Sequence, residues 1–194
     1  MTRAEQREHT RKRIVVAAVA VFAERGFEGA STRLIAARAD TTQGLVTYHF
    51  ASKDDLWRAA ADHVFGILGA AFETGPDEQP PGGREVLRRF VEANAAHPEV
   101  FHFIVDAGRH DNERMRWLVD HHLRERFEQF VGFNDASGID AATTYYAVAG
   151  ASSLIFCVGP ECRRLTGADP TDPAVIDAHV DLMLRLFAAN DDSS

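Results

Sequence analysis

The chain has no apolar run approaching the roughly 20 residues that a membrane-spanning helix needs, which excludes an integral membrane protein of the helical kind. Its start, Met1-Thr2-Arg3-Ala4-Glu5-Gln6-Arg7, is polar and lacks the apolar core of a signal peptide, so a cytoplasmic location is expected. There are only two cysteines, Cys157 and Cys162, spaced neither as a CxxC pair nor as a disulfide framework, and two reduced thiols are expected. No stretch alternates as a strand would, and no hairpin turn of the Asn-Gly kind is present. Enzyme signatures are missing as well. There is no Gly-rich phosphate loop, and Gly150-Ala151-Ser152-Ser153 lacks the flanking residues and the strand of a nucleophile elbow. No internal repeat is found.

What is present is enough for a folded domain. In 194 residues, 45% are hydrophobic, which supports a sizeable core, and 26% are charged, which argues against wholesale disorder. The net charge of −8 conceals a division. Residues 1–60 carry ten basic side chains (Arg3, Arg7, Arg11, Lys12, Arg13, Arg25, Arg33, Arg38, Lys53, Arg58) against seven acidic ones, a balance of +3, and the remainder stands at −11. Such asymmetry hints at a nucleic-acid-binding end on an acidic body, although basic stretches are often only solvated helix faces.

The periodicity is helical nearly throughout. Ile14, Ala18, Val21 and Phe22 form one face of a helix over about 5–25, and Gly26 offers a left-handed stop. Ser31 or Thr32 caps a short helix to about Ala39, with Ile35, Ala36 and Ala39 inward. Asp40-Thr41-Thr42 reads as a turn before a second short helix, about Gln43–His49. Ser52 with Asp55 resembles a capping box opening a helix over about 53–73. A loop follows at Gly75–Gly83. Helices are then expected near 84–96, 98–109, 112–132, 140–158 and 173–189, with a loop around Asn134–Gly138 and a polar loop over Pro160–Thr171. Asp172-Pro173 is a strong helix start. The last helix carries two apolar stripes, Ile176, Val180, Met183, Leu184 and Phe187 on one side and Val175, Leu182 and Leu186 on another, and so needs two burial partners. The tail Asn190–Ser194 reads as frayed.

Two short helices joined by a tight turn make a helix-turn-helix, in which an exposed second helix enters a DNA major groove about 12 Å wide while the first fixes its angle. The run from Gly26 to Lys53 supplies this pattern. Gly26-Phe27, Ser31-Thr32, Ile35-Ala36, Ala39, Gly44, Tyr48-His49-Phe50 and Ser52-Lys53 stand as they do in the TetR family of bacterial transcriptional repressors, which the chain resembles in detail over about residues 10–60. Beyond that, only the helical layout is similar. Three positions depart from the family pattern. Asp40 stands for the turn Gly and tolerates left-handed geometry. Thr41 stands for a buried Val or Ile, and Thr47 for a frequent Tyr that touches the DNA backbone, which leaves Tyr48 to do so.

The resemblance implies an all-α fold of about nine helices. Residues 1–53 would be the DNA-binding domain and 54–194 a helical domain for effector binding and dimerisation. It also implies a partner, a double-stranded palindromic operator bound as a homodimer, and an unidentified small-molecule effector. By residue type, Thr42, Gln43, Leu45 and Thr47 face base edges or thymine methyl groups, and Arg33 suits a guanine. Thr32, Tyr48, His49 and Lys53 suit phosphates, as does the helix N-terminus opened by Ser52. Arg11, Lys12, Arg13 and a flexible Met1–Arg7 arm would add electrostatic attraction. The expected dimer contacts are Ala147, Ala151, Val180, Met183, Leu184 and Phe187 in a four-helix bundle. The expected effector pocket draws on Phe65, Phe72, Phe101, His102, Trp117, His121, His122, Phe127 and Tyr145.

Two other classes compete with this one. Glu99, His102, Asp106 and His110 share a helical stripe, and Glu99-x-x-His102 has the spacing of di-iron bundles, but those need a second such pair. No cofactor, metal site or catalytic residue is expected, and a helical metal enzyme is the lesser alternative. A helical protein-interaction module is the other, against which the basic end argues.

Overall fold

A computed structural model of the chain describes residues 2–70, 81–134 and 138–187. The expected loop at 75–83 falls largely outside these residues, as do Phe72 and the tail. Every regular element is helical: α1 (Arg3–Gly29), α2 (Thr32–Arg38), α3 (Gln43–His49), α4 (Lys53–Ala70), α5 (Gly83–Ala96), α6 (Pro98–Gly108), α7 (Glu113–Leu118), α8 (Arg124–Asn134), α9 (Gly138–Cys157), α10 (Gly159–Thr166) and α11 (Pro173–Phe187). A π-helical turn, Val119–Leu123, joins α7 to α8, so the segment expected as one helix over 112–132 is helical without a break from Glu113 to Asn134, and counted this way the described residues hold ten helices. No single described helix is long and apolar enough to cross a membrane.

The chain packs as two units, Met1–Gly66 with His102–Leu118, and Ile67–Phe101 with Val119–Ser194. The packing boundary therefore differs from a division after residue 53. In the first unit, α1, α2 and α3 pack on one another around Ile14, Ala18, Val21, Phe22, Ile35 and Val46, all fully buried. An aromatic core continues it. Phe103 meets Phe22 edge-on at 6.4 Å and stacks on Trp57 at 5.3 Å, and Trp57 meets Trp117 at 6.2 Å. These rings tie the 102–118 segment to the helices that precede it in this unit.

Gly26 has the positive φ expected of it, but it kinks α1 rather than ending it. Its φ of 65° and ψ of 176° break α1, which then completes one more turn. The positive φ favours glycine here, and a Cβ would also lie a tight 3.2 Å from either carboxylate oxygen of Asp106, which would have to give by a few tenths of an ångström. The start of α1 differs from expectation. Residues 3–7 are helical rather than a flexible arm, because Thr2 and Glu5 form a reciprocal capping box, with Thr2 N donating to Glu5 Oε2 at 2.7 Å and Glu5 N to Thr2 Oγ1 at 3.2 Å.

In the second unit, α5, α9 and α11 enclose Leu87, Val91, Ala95, Phe156, Val180, Met183 and Leu184. One expectation is corrected here. Pro160–Thr171 is not wholly a loop. Its first part is α10, opened by Pro160 in the first turn and closed by Gly167 in the left-handed conformation. Val180, Met183 and Leu184, expected at a dimer contact, are buried within the chain against α5 and α9. The second stripe of α11 stays open, with Leu182 and Leu186 exposed, and Phe187 is exposed beside it.

Candidate nucleic-acid interface

Each end of the two-helix unit is fixed by a short polar contact. Ser31 Oγ accepts from Leu34 N at 3.2 Å to start α2, and Thr42 Oγ1 accepts from Leu45 N at 3.3 Å to start α3. Between them Asp40 adopts φ 48°, the left-handed turn position foreseen for it. Val46 and Phe50 are buried and hold α3 by its inner face. The next helix, α4, begins with Ser52 Oγ accepting from Asp55 N at 3.0 Å.

The opposite face of α3 is exposed. Thr42, Gln43, Leu45, Thr47 and Tyr48 all lie on it, Tyr48 at 65% exposure, and Arg33 is exposed on α2. The structure adds a contact that spacing does not reveal: Gln43 Nε2 donates to Thr32 Oγ1 at 3.2 Å. One expected base-reading side chain and one expected phosphate contact thus hold each other across the two helices. Thr47 turns its hydroxyl back to its own helix, 3.0 Å from the Gly44 carbonyl, which is consistent with a contact through its methyl group.

One of the expected electrostatic contributors has a second role, and one expected phosphate contact lies over a ring. Arg13 Nη2 donates to the carbonyls of Ala39 at 2.6 Å and Asp40 at 3.0 Å, so this arginine clamps the turn between α2 and α3. Lys53 Nζ lies 4.3 Å from the centroid of Phe27. By contrast, Arg7 lies 5.5 Å over Tyr48 and Arg11 5.3 Å over Phe50, placing two exposed cations beside the last turn of α3. His49 lies next to them, and its pKa is held below the usual 6.5 by burial first, then by Arg7 and Arg11, with Glu8 opposing.

The expected effector residues fall in both units. Phe65 is buried in the first, where Trp117 packs on Trp57 and His102 is exposed. In the second, Phe127 and Phe130 meet Tyr145 edge-on at 5.3 and 5.4 Å, Phe101 and His122 are half-buried, and His121 is exposed. Arg126 is half-buried beside this group. Burial lowers its pKa despite Tyr145 and Glu125, and burial, ahead of Tyr146, raises that of Tyr145. The Glu99–His102–Asp106–His110 stripe does not converge. Among the described residues no three His, Cys, Asp or Glu side chains are gathered as a metal would require. Glu99 pairs with His97 at 3.3 Å, and Asp106 lies against Gly26.

Residues 14–60 match the family model described as bacterial regulatory proteins, tetR family. A transcriptional dual regulator of the helix-turn-helix type from Shigella flexneri, CecR, is 34% identical over 90 residues, 43% of this chain and 40% of the relative. The transcriptional repressor NicS of Pseudomonas putida is 27% identical over 59% of this chain and 55% of its own length. The chain thus spans about half the length of these relatives or less. Among solved structures, the transcriptional regulator SCO4942 of Streptomyces coelicolor superposes with a TM-score of 0.65 at 22% identity, over 91% of this chain and 97% of that one, a likeness of fold. Over residues 14–60, then, the chain carries a helix-turn-helix segment similar to that of the tetR family of bacterial regulatory proteins.

Proposed function

We propose that the protein is a DNA-binding transcriptional regulator that works as a homodimer, most simply a repressor released from a palindromic operator by a small molecule. The observation that carries this reading is the arrangement of α3. Val46 and Phe50 anchor one face, while Gln43, Leu45, Thr47 and Tyr48 stand exposed on the other, beside Arg33. A short helix held this way has the form of a major-groove reader.

One module reads too few bases for useful specificity, so a two-fold dimer on a two-fold site follows. The exposed Leu182, Leu186 and Phe187 of α11, with Tyr146, Ala147 and Leu154 of α9, favour a dimer face on these two helices. The aromatic group around Tyr145 is the best-supported part of an effector site. Release would be a population shift, in which the effector binds more tightly to a dimer whose reading helices are wrongly spaced. A regulator of this kind performs no chemistry, takes no cofactor and works in the cytoplasm, where its DNA lies.

Selection of bound duplexes from a random pool tests the reading. A palindrome whose half-sites are centred about one helical turn or a multiple apart supports it. Enrichment of no sequence, or of an asymmetric single site, counts against it.

A further inference from the structure

Among the described residues the buried polar side chains are Asn94 on α5 and Ser152 and Ser153 on α9, helices that pack on each other in the second unit. Asn94 bonds to its own helix, its Nδ2 donating to the Phe90 carbonyl at 2.7 Å. The two serine hydroxyls have no hydrogen-bond partner, at 0% and 1% exposure. A buried hydroxyl left unpaired costs stability that an apolar side chain would not, so it calls for an occupant that bonds to it.

Ser152 stands seven residues beyond Tyr145, about two helical turns, and so lies on the same side of α9, roughly 10 Å along it. Around Tyr145 the surroundings are aromatic and cationic. Phe127 and Phe130 of α8 meet its ring edge-on. Arg126, next to Phe127, is half-buried, and its Nη2 reaches α4, where a Cβ on Gly69 would lie 3.4 Å from it. Burial works against the charge of Arg126, with Tyr145 and then Glu125 opposing. Burial also raises the pKa of Tyr145, which keeps its hydroxyl protonated and able to donate. A guanidinium has five N–H donors, so it can hold a protein neighbour and both oxygens of a carboxylate at once. The rings beside it suit a flat apolar body.

We propose that this site takes an aromatic carboxylate, with the carboxylate held by Arg126 and the Tyr145 hydroxyl, the ring among Phe127, Phe130 and Tyr145, and a hydroxyl at the far end bonded by Ser152. The inference rests on the reading of the aromatic group around Tyr145 as the effector site.

The test titrates the full chain by calorimetry, without DNA, with three probes: para-hydroxycinnamate, cinnamate, which lacks the hydroxyl, and para-hydroxycinnamamide, which lacks the charge. Affinity is expected to fall in that order. Arg126→Gln is expected to weaken both acids by about 10- to 100-fold and the amide by much less, which separates loss of the site from loss of folding. Arg126→Lys keeps the charge without the planar fork and is expected to recover part of the loss. Ser152→Ala is expected to weaken para-hydroxycinnamate by about 3- to 10-fold and cinnamate by much less, and to melt no lower than the wild type, since it removes an unpaired hydroxyl. An amide that binds as tightly as its acid, an equal loss for acids and amide in Arg126→Gln, or no binding of either acid overturns the proposal. Wild-type binding of both acids by a Ser152→Ala protein of lowered melting temperature assigns that hydroxyl to a buried water and overturns its part in the site. Release is read separately on the selected palindrome. Wild-type protein that binds the acids yet stays on the DNA overturns the underlying effector reading instead.

Discussion

The guanidinium carbon of Arg114 lies 3.4 Å from the ring centroid of Phe27, and the same arginine reaches Asp54 at 3.2 Å and Glu28 at 3.6 Å. Its side chain is only 22% exposed, so the stack is largely shielded from water. Lys53 lies on the same ring. Helix α7 is thereby fastened to the two places where the DNA-binding motif begins and ends, Phe27 and the Lys53–Asp54 pair. Arg114→Ala is expected to cost about 1–2 kcal/mol in urea denaturation with an unchanged m-value. Arg114→Lys, which keeps the charge but not the plane, is expected to recover only part of that.

Arg13 makes a second prediction in the same unit. It satisfies the carbonyls that end α2 and turn the chain toward α3. Arg13→Ala is expected to lower stability by about 1–2 kcal/mol. It is also expected to weaken operator binding without flattening the salt slope, since this arginine is spent on the turn. A flattened slope would return Arg13 to the list of phosphate contacts.

Gln43→Ala is expected to reduce affinity for the selected operator by about 1–3 kcal/mol per half-site, as the loss of a bidentate base contact does. Binding to scrambled DNA and the dimer itself should be unaffected. Because Gln43 also donates to Thr32, Thr32→Val is expected to weaken operator binding through Gln43 as well as through the phosphate. A double-mutant cycle measures that coupling, and strict additivity would show that the Gln43–Thr32 contact does not orient the reader.

Much of this interface was legible from residue type and order. The cap at Ser31, one of two residues offered for it, the left-handed Asp40, the positive φ of Gly26 and the inward Ile35, Ala36 and Ala39 all follow from local chemistry. Contacts between side chains distant in sequence were not legible. Nothing in the spacing distinguishes Arg13, which clamps a turn, from Arg11, which sits on Phe50. Nor does it reveal the capping box that makes Arg3–Arg7 helical. Helix α10 was hidden because its eight residues are mostly polar and even its one leucine, Leu165, is exposed, so no apolar stripe marks it. On α11, periodicity identified two apolar stripes but not which one the chain itself would bury. Tertiary packing decided that in favour of Val180, Met183 and Leu184.

The unburied stripe gives a further prediction. Leu186 is 59% exposed in the single chain. Leu186→Glu is expected to shift the protein from dimer to monomer in analytical ultracentrifugation while leaving the fold of the monomer intact. Val180→Ala is expected to destabilise the unit by about 0.5–1.5 kcal/mol as a core truncation, with little effect on association. The reverse pattern would place the dimer face on the other stripe.

His179 supplies a pH dependence. Its Nε2 lies 3.0 Å from the Ala151 carbonyl, which fixes the ring as a donor there, and Phe156 meets it edge-on at 5.4 Å. Burial lowers its pKa below 6.5, opposed by that hydrogen bond. The unfolded chain therefore binds the proton more readily. The stability His179 contributes is present above pH 6.5 and is lost as pH falls through that value toward the lower native pKa. The melting temperature is expected to drop between pH 7.5 and 5.5, and by less in His179→Gln. An equal drop in both proteins would assign the acid sensitivity to other groups.

The account stands or falls on whether the exposed face of α3 reads DNA in a two-fold arrangement. The direct measurement is equilibrium binding of the full chain to its selected palindrome, to the same duplex with one half-site scrambled, and to a fully scrambled duplex, across a range of salt. The account predicts binding of two protomers to the palindrome, affinity that falls linearly on logarithmic axes as salt rises, and a loss of preference for the palindrome in Gln43→Ala. Equal affinity for all three duplexes, or wild-type preference retained in a variant carrying Arg33→Ala, Gln43→Ala and Tyr48→Ala together, would contradict it.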